Sequence, residues 1–351
     1  MPPDAAFDVV GLGLACLDDL LLLSNIPAPE GRATVLRRER HGGGMAATAM
    51  VATARLGGVA GMVAKVGDDP SGDFILEDFR RYGVDVSRAV VEPGGTSHVT
   101  VVLVDAGTGA RAFLGQRGTI RSLGPEEVER EYVTAGRILH LSDADPAAMR
   151  AARWAKEAGR ELSFDGTHFY PAVLDLIPLL DYLIVSRFFA RELVAYQEGR
   201  GLTRAARMFT EPGGEPGAGD GPAPHPMELG EVPELRGEAL LEVAGRMARL
   251  GPPVVVVTEG EHGSWCVSPE GAFHTPAFPV HPVVDTTGAG DVFHGAFLYA
   301  RTRGWAIRPA LRLGAAVAAL KCRALGGRAG IPTLAEALAL VGAPAGPATP
   351  G

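Results

Sequence analysis

Short apolar runs alternate with stretches of helical spacing along most of this chain. Phe7 to Leu14 is β-rich, ends in glycines and predicts a first buried strand. Met45 to Leu56 is alanine-rich with apolar residues at helical spacing, and Gly57-Gly58 supplies the stop signal of a helix. Val59 to Val66 predicts a strand, and Ser71 to Tyr82 a helix ended by Gly83. Val99 to Val104 and Arg111 to Leu114 are partly polar arms around the turn Asp105 to Gly109, the pattern of a hairpin. From Gly136 the rhythm becomes regular. Ile138 to Leu141, Leu162 to Asp165, Tyr182 to Val185 and Val254 to Thr258 predict short strands, and Ala147 to Ala158 and Arg191 to Gln197 predict helices. Strands this apolar are buried on both faces, so the expected class is α/β, a doubly wound, mostly parallel sheet flanked by helices.

Two segments break the rhythm. Residues 211–233 are dense in Gly and Pro with few apolar residues, and predict a surface insertion. The Ala/Gly/Pro-rich end, residues 342–351, predicts a frayed tail. The rest, 1–341, reads as one domain without internal repeats.

Composition narrows the function classes. The chain has 351 residues, 46% hydrophobic and 21% charged, enough for one large globular core. A formal net charge of -8 argues against a nucleic-acid surface. Cys16, Cys266 and Cys322 are far apart and odd in number, which suits free thiols in a reducing cytosol and no disulfide framework. No basic n-region precedes the first apolar run and no run is long enough to span a bilayer, so a soluble, cytoplasmic protein is expected.

The richest chemistry lies in Val284-Asp285-Thr286-Thr287-Gly288-Ala289-Gly290-Asp291-Val292-Phe293-His294-Gly295-Ala296-Phe297. Three small residues precede an acid that opens an apolar, helix-like run. The first amides of a helix have no intrahelical partner, and the helix dipole favours negative charge there. Gly288 and Gly290 let that backbone approach a phosphate closely. The amides of Ala289, Gly290 and Asp291 are the expected donors, and the Asp291 carboxylate is the expected base for an attacking hydroxyl. Taken alone, Gly-x-Gly-Asp is equally a capping turn. There is no Gly-x-x-x-x-Gly-Lys-Ser/Thr loop, and Gly11-Leu12-Gly13 lacks the third glycine of a dinucleotide fingerprint.

The run Asp285 to Phe297 resembles the C-terminal motif of the ribokinase-like (PfkB) sugar kinase family. That resemblance implies a three-layer α/β/α fold with a small β-sheet lid, from about 19–40 and 98–116. It implies ATP and Mg²⁺, Asp291 as base, and an anion hole from Gly288 to Asp291. It further implies a monovalent cation such as K⁺ near Asp285 behind the loop. Gly42-Gly43-Gly44-Met45-Ala46-Ala47-Thr48-Ala49 resembles the family's sugar-side Gly-Gly-x-x-x-Asn, with Thr48 in place of Asn. Gly43, Gly44, Thr48 and Asp18 are therefore expected on the sugar. Gly67, Asp69 and Gly72 match a further Gly-x-Asp-x-x-Gly. Thr258-Glu259-Gly260-Glu261-His262-Gly263 resembles the nucleotide-side Thr-x-Gly-x-x-Gly, so Thr258, Gly260, Gly263 and Thr287 are expected near ATP. The family's Asn-x-x-Glu is missing, since Ser186-Arg187-Phe188-Phe189 stands there and Glu192 is out of register. Mg²⁺ is then expected on ATP phosphates and water. Members of the family pair through their lids, which implies a homodimer.

Within the family, Ala318 to Cys322 and Gly326-Gly327-Arg328-Ala329-Gly330-Ile331-Pro332 resemble the sulfofructose kinase branch. The anion-reading positions differ: Arg32 stands for a Lys, Gly115 for an Asn and Asp143 for an Arg. An Asp in place of that Arg would repel a sulfonate, and losing such a charge-assisted pair costs roughly 2–5 kcal/mol. Carboxylates suit hydroxyls, so a neutral sugar is the expected substrate, with Arg32 and Asp143 among its contacts. Arg111, Arg117 and Arg121 read as solvated charge within reach of an anionic substrate. A sulfofructose kinase, a nucleoside kinase of the same fold and a non-catalytic sugar sensor are the rivals.

Overall fold

The structure is a computed structural model that describes residues 5–108, 110–201 and 232–342. The expected insertion at 211–233 and the tail lie almost wholly outside the described residues. The chain opens with β1 (Phe7–Leu12), β2 (Cys16–Leu23), β3 (Val35–Gly43), α1 (Met45–Arg55), β4 (Ala60–Val63), β5 (Lys65–Gly67) and α2 (Pro70–Arg81). It continues through β6 (Val90–Glu92), β7 (Val99–Asp105), β8 (Arg111–Gln116), α3 (Arg130–Val133), β9 (Gly136–Leu141), α4 (Pro146–Glu157), β10 (Glu161–Gly166), α5 (Val173–Leu176), β11 (Tyr182–Ser186) and α6 (Arg187–Gln197). After the undescribed stretch come α7 (Glu238–Ala248), β12 (Val254–Thr258), β13 (Ser264–Ser268), β14 (Gly271–Thr275), α8 (Ala289–Thr302), α9 (Ile307–Lys321) and α10 (Leu334–Val341). No described helix is long and apolar enough to cross a membrane.

Eight strands form the central sheet in the order β14-β13-β12-β11-β10-β9-β1-β4, parallel from β4 through β12 and antiparallel beyond. The strands alternate between two apolar cores because successive side chains point to opposite faces. Val9, Ile184, Val254 and Val256 pack with α1, α8 and α9 on one face. Val10, Leu183, Val185, Val255 and Val257 pack with α4, α6 and α7 on the other. This is the expected three-layer α/β/α arrangement.

A second sheet, β3-β2-β7-β8, forms the lid. β7 and β8 are the expected hairpin, paired antiparallel. Two expectations needed correction at the sheet ends. The run Phe7 to Leu14 stops at Leu12, because at Gly13 the chain passes so close to Ser142 that a Cβ would overlap its hydroxyl. It then enters β2 at Cys16, so the lid grows directly from the first strand. Val59 to Val66 splits at Ala64 into β4 and β5, and the Val90 amide donates to the Ala64 carbonyl at 2.8 Å. Helices α2 and α4 start a residue earlier than the periodicity predicts. Asp69 and Asp145 cap them, accepting from Gly72 N and Ala148 N, with Pro70 and Pro146 at the first helical position.

The lid is fastened to the core by one buried guanidinium. Arg328 is 1% exposed, and its Nη1 meets Asp78 Oδ2 at 2.6 Å. Its Nη2 donates to the Gly43 carbonyl at 3.1 Å, its Nε donates to Thr48 Oγ1 at 3.3 Å, and the group lies 4.9 Å over the Phe79 ring. A Cβ at Gly42 would overlap this guanidinium. The end of β3, the first turn of α1, helix α2 and the loop after α9 thus share one charge. Arg328→Met leaves buried Asp78 with only the Gly42 amide at 3.3 Å and the exposed Arg81 at 4.0 Å, and the expected loss is about 3–5 kcal/mol in urea unfolding. Adding Asp78→Leu should recover part of it. A single variant as stable as the wild type would refute that role.

Candidate active site

Helix α8 carries the Gly-Ala-Gly-Asp run at its N-terminus. Gly288 is its N-cap, in the left-handed region at φ 74, and a Cβ there would stand 2.8 Å from Gly327 Cα. Only glycine turns the chain there at that approach. The Gly288 carbonyl accepts from Val292 N at 3.0 Å and starts the helix. Ala289 N donates to the Thr286 carbonyl at 3.2 Å, so the expected three-amide hole loses one donor. Among the described residues the Gly290 N–H has no hydrogen-bond partner, and the space beside Gly290 is open.

Asp291 follows in the first turn, half-buried. Burial pushes its carboxyl up to about 7 and repulsion from Asp18 adds to this, while Lys321 and Arg328 act the other way. Asp18 lies on β2, its own pKa raised by burial. Cys16 Sγ donates to Asp18 Oδ1 at 3.4 Å. The Asp18 carboxylate packs against the Gly43 backbone, where a Cβ would overlap it. Gly44, at φ 100, starts α1 against the Leu14 carbonyl, where a side chain would clash. The two sugar-side glycines and Asp18 are therefore brought together as expected.

Below Asp291 lies a cluster the sequence reading missed. Asp165, at the end of β10, is buried. Its pKa is raised well above the usual range by burial and then by Asp291. His294, one turn after Asp291, places Nε2 3.3 Å from Asp165 Oδ1. His140, buried on β9, stands 5.4 Å from the His294 ring, with Nδ1 3.2 Å from Ser163 Oγ. Burial lowers both imidazole pKa values, so they are neutral around pH 7 and His294 can donate to the carboxylate. Periodicity made His294 an ordinary helix residue, and no local signal marks His140 or Asp165 as its neighbours.

Asp285 is 1% exposed and fully engaged. Its Oδ1 accepts from Thr287 N at 2.8 Å and Thr287 Oγ1 at 2.7 Å, its Oδ2 accepts from Gly326 N at 2.8 Å, and its carbonyl accepts from Lys321 Nζ at 2.9 Å. Burial works to raise its pKa, but Lys321 and these donors outweigh it and hold the carboxylate below its usual range. Lid residue Arg111 donates to Thr287 Oγ1 at 3.4 Å, so this arginine reaches the motif loop, unlike a merely solvated charge.

The nucleotide-side loop follows β12. Thr258 Oγ1 donates to the Val185 carbonyl at 3.4 Å. Gly260 and Gly263 both have positive φ, 62 and 94, and a Cβ at Gly263 would overlap the Thr275 carbonyl. Asp143, two residues beyond β9, is raised to about 6 by burial and then by Asp145. Glu192 accepts from Phe169 N at 2.8 Å and lies 3.0 Å from His168 Nδ1. That acid braces the loop after β10.

Two of the expected sugar contacts, Thr48 and Arg32, have surroundings of their own. Thr48 is buried and its hydroxyl accepts from Arg328, so it braces the cradle. Arg32 is exposed in the connection beyond Leu23, and Leu23 is already about 17 Å along the strand from Asp18 at 3.4 Å per residue.

The profile of the pfkB family carbohydrate kinase matches residues 7–211 and 228–334. This chain belongs to that family. It is similar to a 5-dehydro-2-deoxygluconokinase of Shouchella clausii, 28% identical over 344 residues, covering 95% of each chain. It is also similar to an ATP-dependent ribose-1-phosphate kinase of Halopiger xanaduensis, 28% identical over 291 residues and 83% of each. Among solved structures, a putative ribokinase from Agrobacterium tumefaciens superimposes with a TM-score of 0.72 at 25% identity, over 95% of this chain and 97% of that one. Arabidopsis thaliana ribokinase complexed with ribose and ATP shares the fold, with a TM-score of 0.73 at 21% identity, over 96% and 99% of the two chains.

A base is active only when deprotonated. As pH falls through about 7, Asp291 takes up its proton, and kcat/KM should fall with it. Asp18→Asn removes the repelling charge, so this acidic limb should move to lower pH even as affinity drops. A limb that stays put in that variant would deny the coupling between the two carboxylates.

Proposed function

We propose that this protein transfers the γ-phosphoryl group of ATP to a primary hydroxyl of a neutral sugar, a ketose or related carbohydrate. One observation carries the reading: a carboxylate held near neutrality in the first turn of a helix whose Gly290 amide is unpartnered beside open space. The sugar hydroxyl gives its proton to Asp291, and its oxygen attacks the γ-phosphorus. The bond to the bridging oxygen breaks, and ADP leaves with that electron pair. The amides at the start of α8 and the helix dipole stabilise the charge on the transferring group. Thr258, Gly260, Gly263 and Thr287 hold the nucleotide side, and Asp18 with Asp143 takes sugar hydroxyls. Mg²⁺ would neutralise phosphate charge while bound to ATP and water. Lid closure excludes water and carries Arg111 toward the phosphates.

The neutral substrate follows from which charges are available. Arg328 is engaged by Asp78, Gly43 and Thr48, Arg32 is exposed in the connection beyond Leu23, and acids at 18 and 143 repel anions. The relatives' names include a gluconate-derived substrate and a sugar phosphate. The deciding experiment is ADP release across ketoses, pentoses, keto sugar acids, ribose-1-phosphate, nucleosides and sulfofructose. Saturable turnover of a neutral sugar is expected. Turnover of sulfofructose alone would restore the sulfosugar branch, and binding without turnover would make the chain a sensor. Asp291→Asn should keep sugar and ATP affinity while kcat falls about 10²–10⁴-fold.

We also propose a homodimer through the lid, whose edge strands expose Val35, Leu36, Phe113 and Leu114. Sedimentation should give twice the chain mass, and Leu36→Asp with Phe113→Asp should give the monomer.

A further inference from the structure

A buried cation already stands behind the anion-hole loop. Lys321, the last residue of α9, is 0% exposed, and its Nζ donates to the Asp285 carbonyl at 2.9 Å. It faces the Asp285 carboxylate, and its charge also reaches Asp291. A monovalent metal ion would need oxygen lone pairs here. The carboxylate oxygens already accept Thr287 N, Thr287 Oγ1 and Gly326 N. The neighbouring Cys322 carbonyl accepts both Val284 N at 2.8 Å and Asp285 N at 3.2 Å. Asp285, the residue expected beside K⁺, thus already has the chain's own donors on both carboxylate oxygens and an ammonium on its carbonyl, and the family's cation does not fit.

We propose that Lys321 is a tethered replacement for that monovalent cation, a positioning residue that fixes Asp285 and the Gly288–Asp291 turn and makes the enzyme independent of K⁺. A compact ammonium is suited to this, since it carries one charge on a flexible stem and offers three donors to backbone and carboxylate oxygens. Burial pulls its pKa down and Asp285 opposes that. The Asp285 carbonyl only accepts, so the 2.9 Å contact is made by an N–H of Lys321, and the nearby Asp285 carboxylate favours the charged form of the amine. Its positive charge favours the ionised form of both Asp285 and Asp291 and offsets their repulsion of the incoming phosphate.

The inference rests on reading this loop as the anion hole, so its test has an arm independent of catalysis. Wild-type turnover and melting temperature should agree within about two-fold and about 1 °C in K⁺ and in tetramethylammonium chloride at matched ionic strength. Lys321→Ala should lose at least about ten-fold in turnover in tetramethylammonium, with K⁺ or NH₄⁺ restoring much of the rate and raising the melting temperature. Lys321→Met fills the same space without charge, so it should lose turnover and gain nothing from either ion. Any of three results overturns the proposal: wild-type activation or stabilisation by K⁺, full activity of Lys321→Ala without a small cation, or equal indifference of both variants to cations. Should the wild type turn over no sugar at all, the kinase reading fails, while the melting comparison still decides whether Lys321 fills a cation's place.

Discussion

The site is governed by electrostatic compensation at the carboxyl edge of the central sheet. Asp18, Asp165, Asp285 and Asp291 converge there, with two cations taken almost completely out of water, Lys321 and Arg328. An isolated buried charge is costly, and like charges this close cannot all ionise freely. The arrangement separates the acids by task. Asp285, with three donors on its carboxylate and the Lys321 charge nearby, stays ionised and holds the loop. Asp291, with fewer partners and two acids nearby, is poised near neutrality, where a base is most useful.

The same charges connect the lid to the chemistry. β2 leaves β1 after three residues and lies parallel to β7, so the lid is an extension of the first strand of the core. Arg328 bonds the end of β3 and the first turn of α1, while Asp78 presents the opposing charge from α2. Sugar-side glycines are required because side chains at 42 and 43 would displace the guanidinium or the Asp18 carboxylate. The glycines are thus explained by what presses on them from behind as much as by what approaches in front.

Much of the site was legible because it is local. The Gly288–Asp291 turn needs only a left-handed glycine, small neighbours and a helix start, all consecutive in the chain. The parallel sheet was legible too, since β11 and β12 are uniformly apolar and lie between amphipathic helices. The surroundings of Thr48 and Arg32 were not legible, for a different reason. A matching motif position says where a side chain starts, and neither Arg328, 280 residues away, nor the length of β2 enters that comparison.

The sequence by itself determined the α/β class, the helix-start geometry of the glycine loop and the acid in its first turn, because each depends on residues within a turn or two. The tertiary structure alone decided which charges face one another. It placed Lys321 against Asp285, Arg328 against Asp78 and Thr48, and His294 against Asp165, in pairs separated by up to 280 residues. Burial and Asp18 raise the pKa of Asp291 while Lys321 and Arg328 lower it, and these groups meet only once the sheet has gathered its strand ends, since Coulomb energy and desolvation depend on distance in space, which periodicity does not encode.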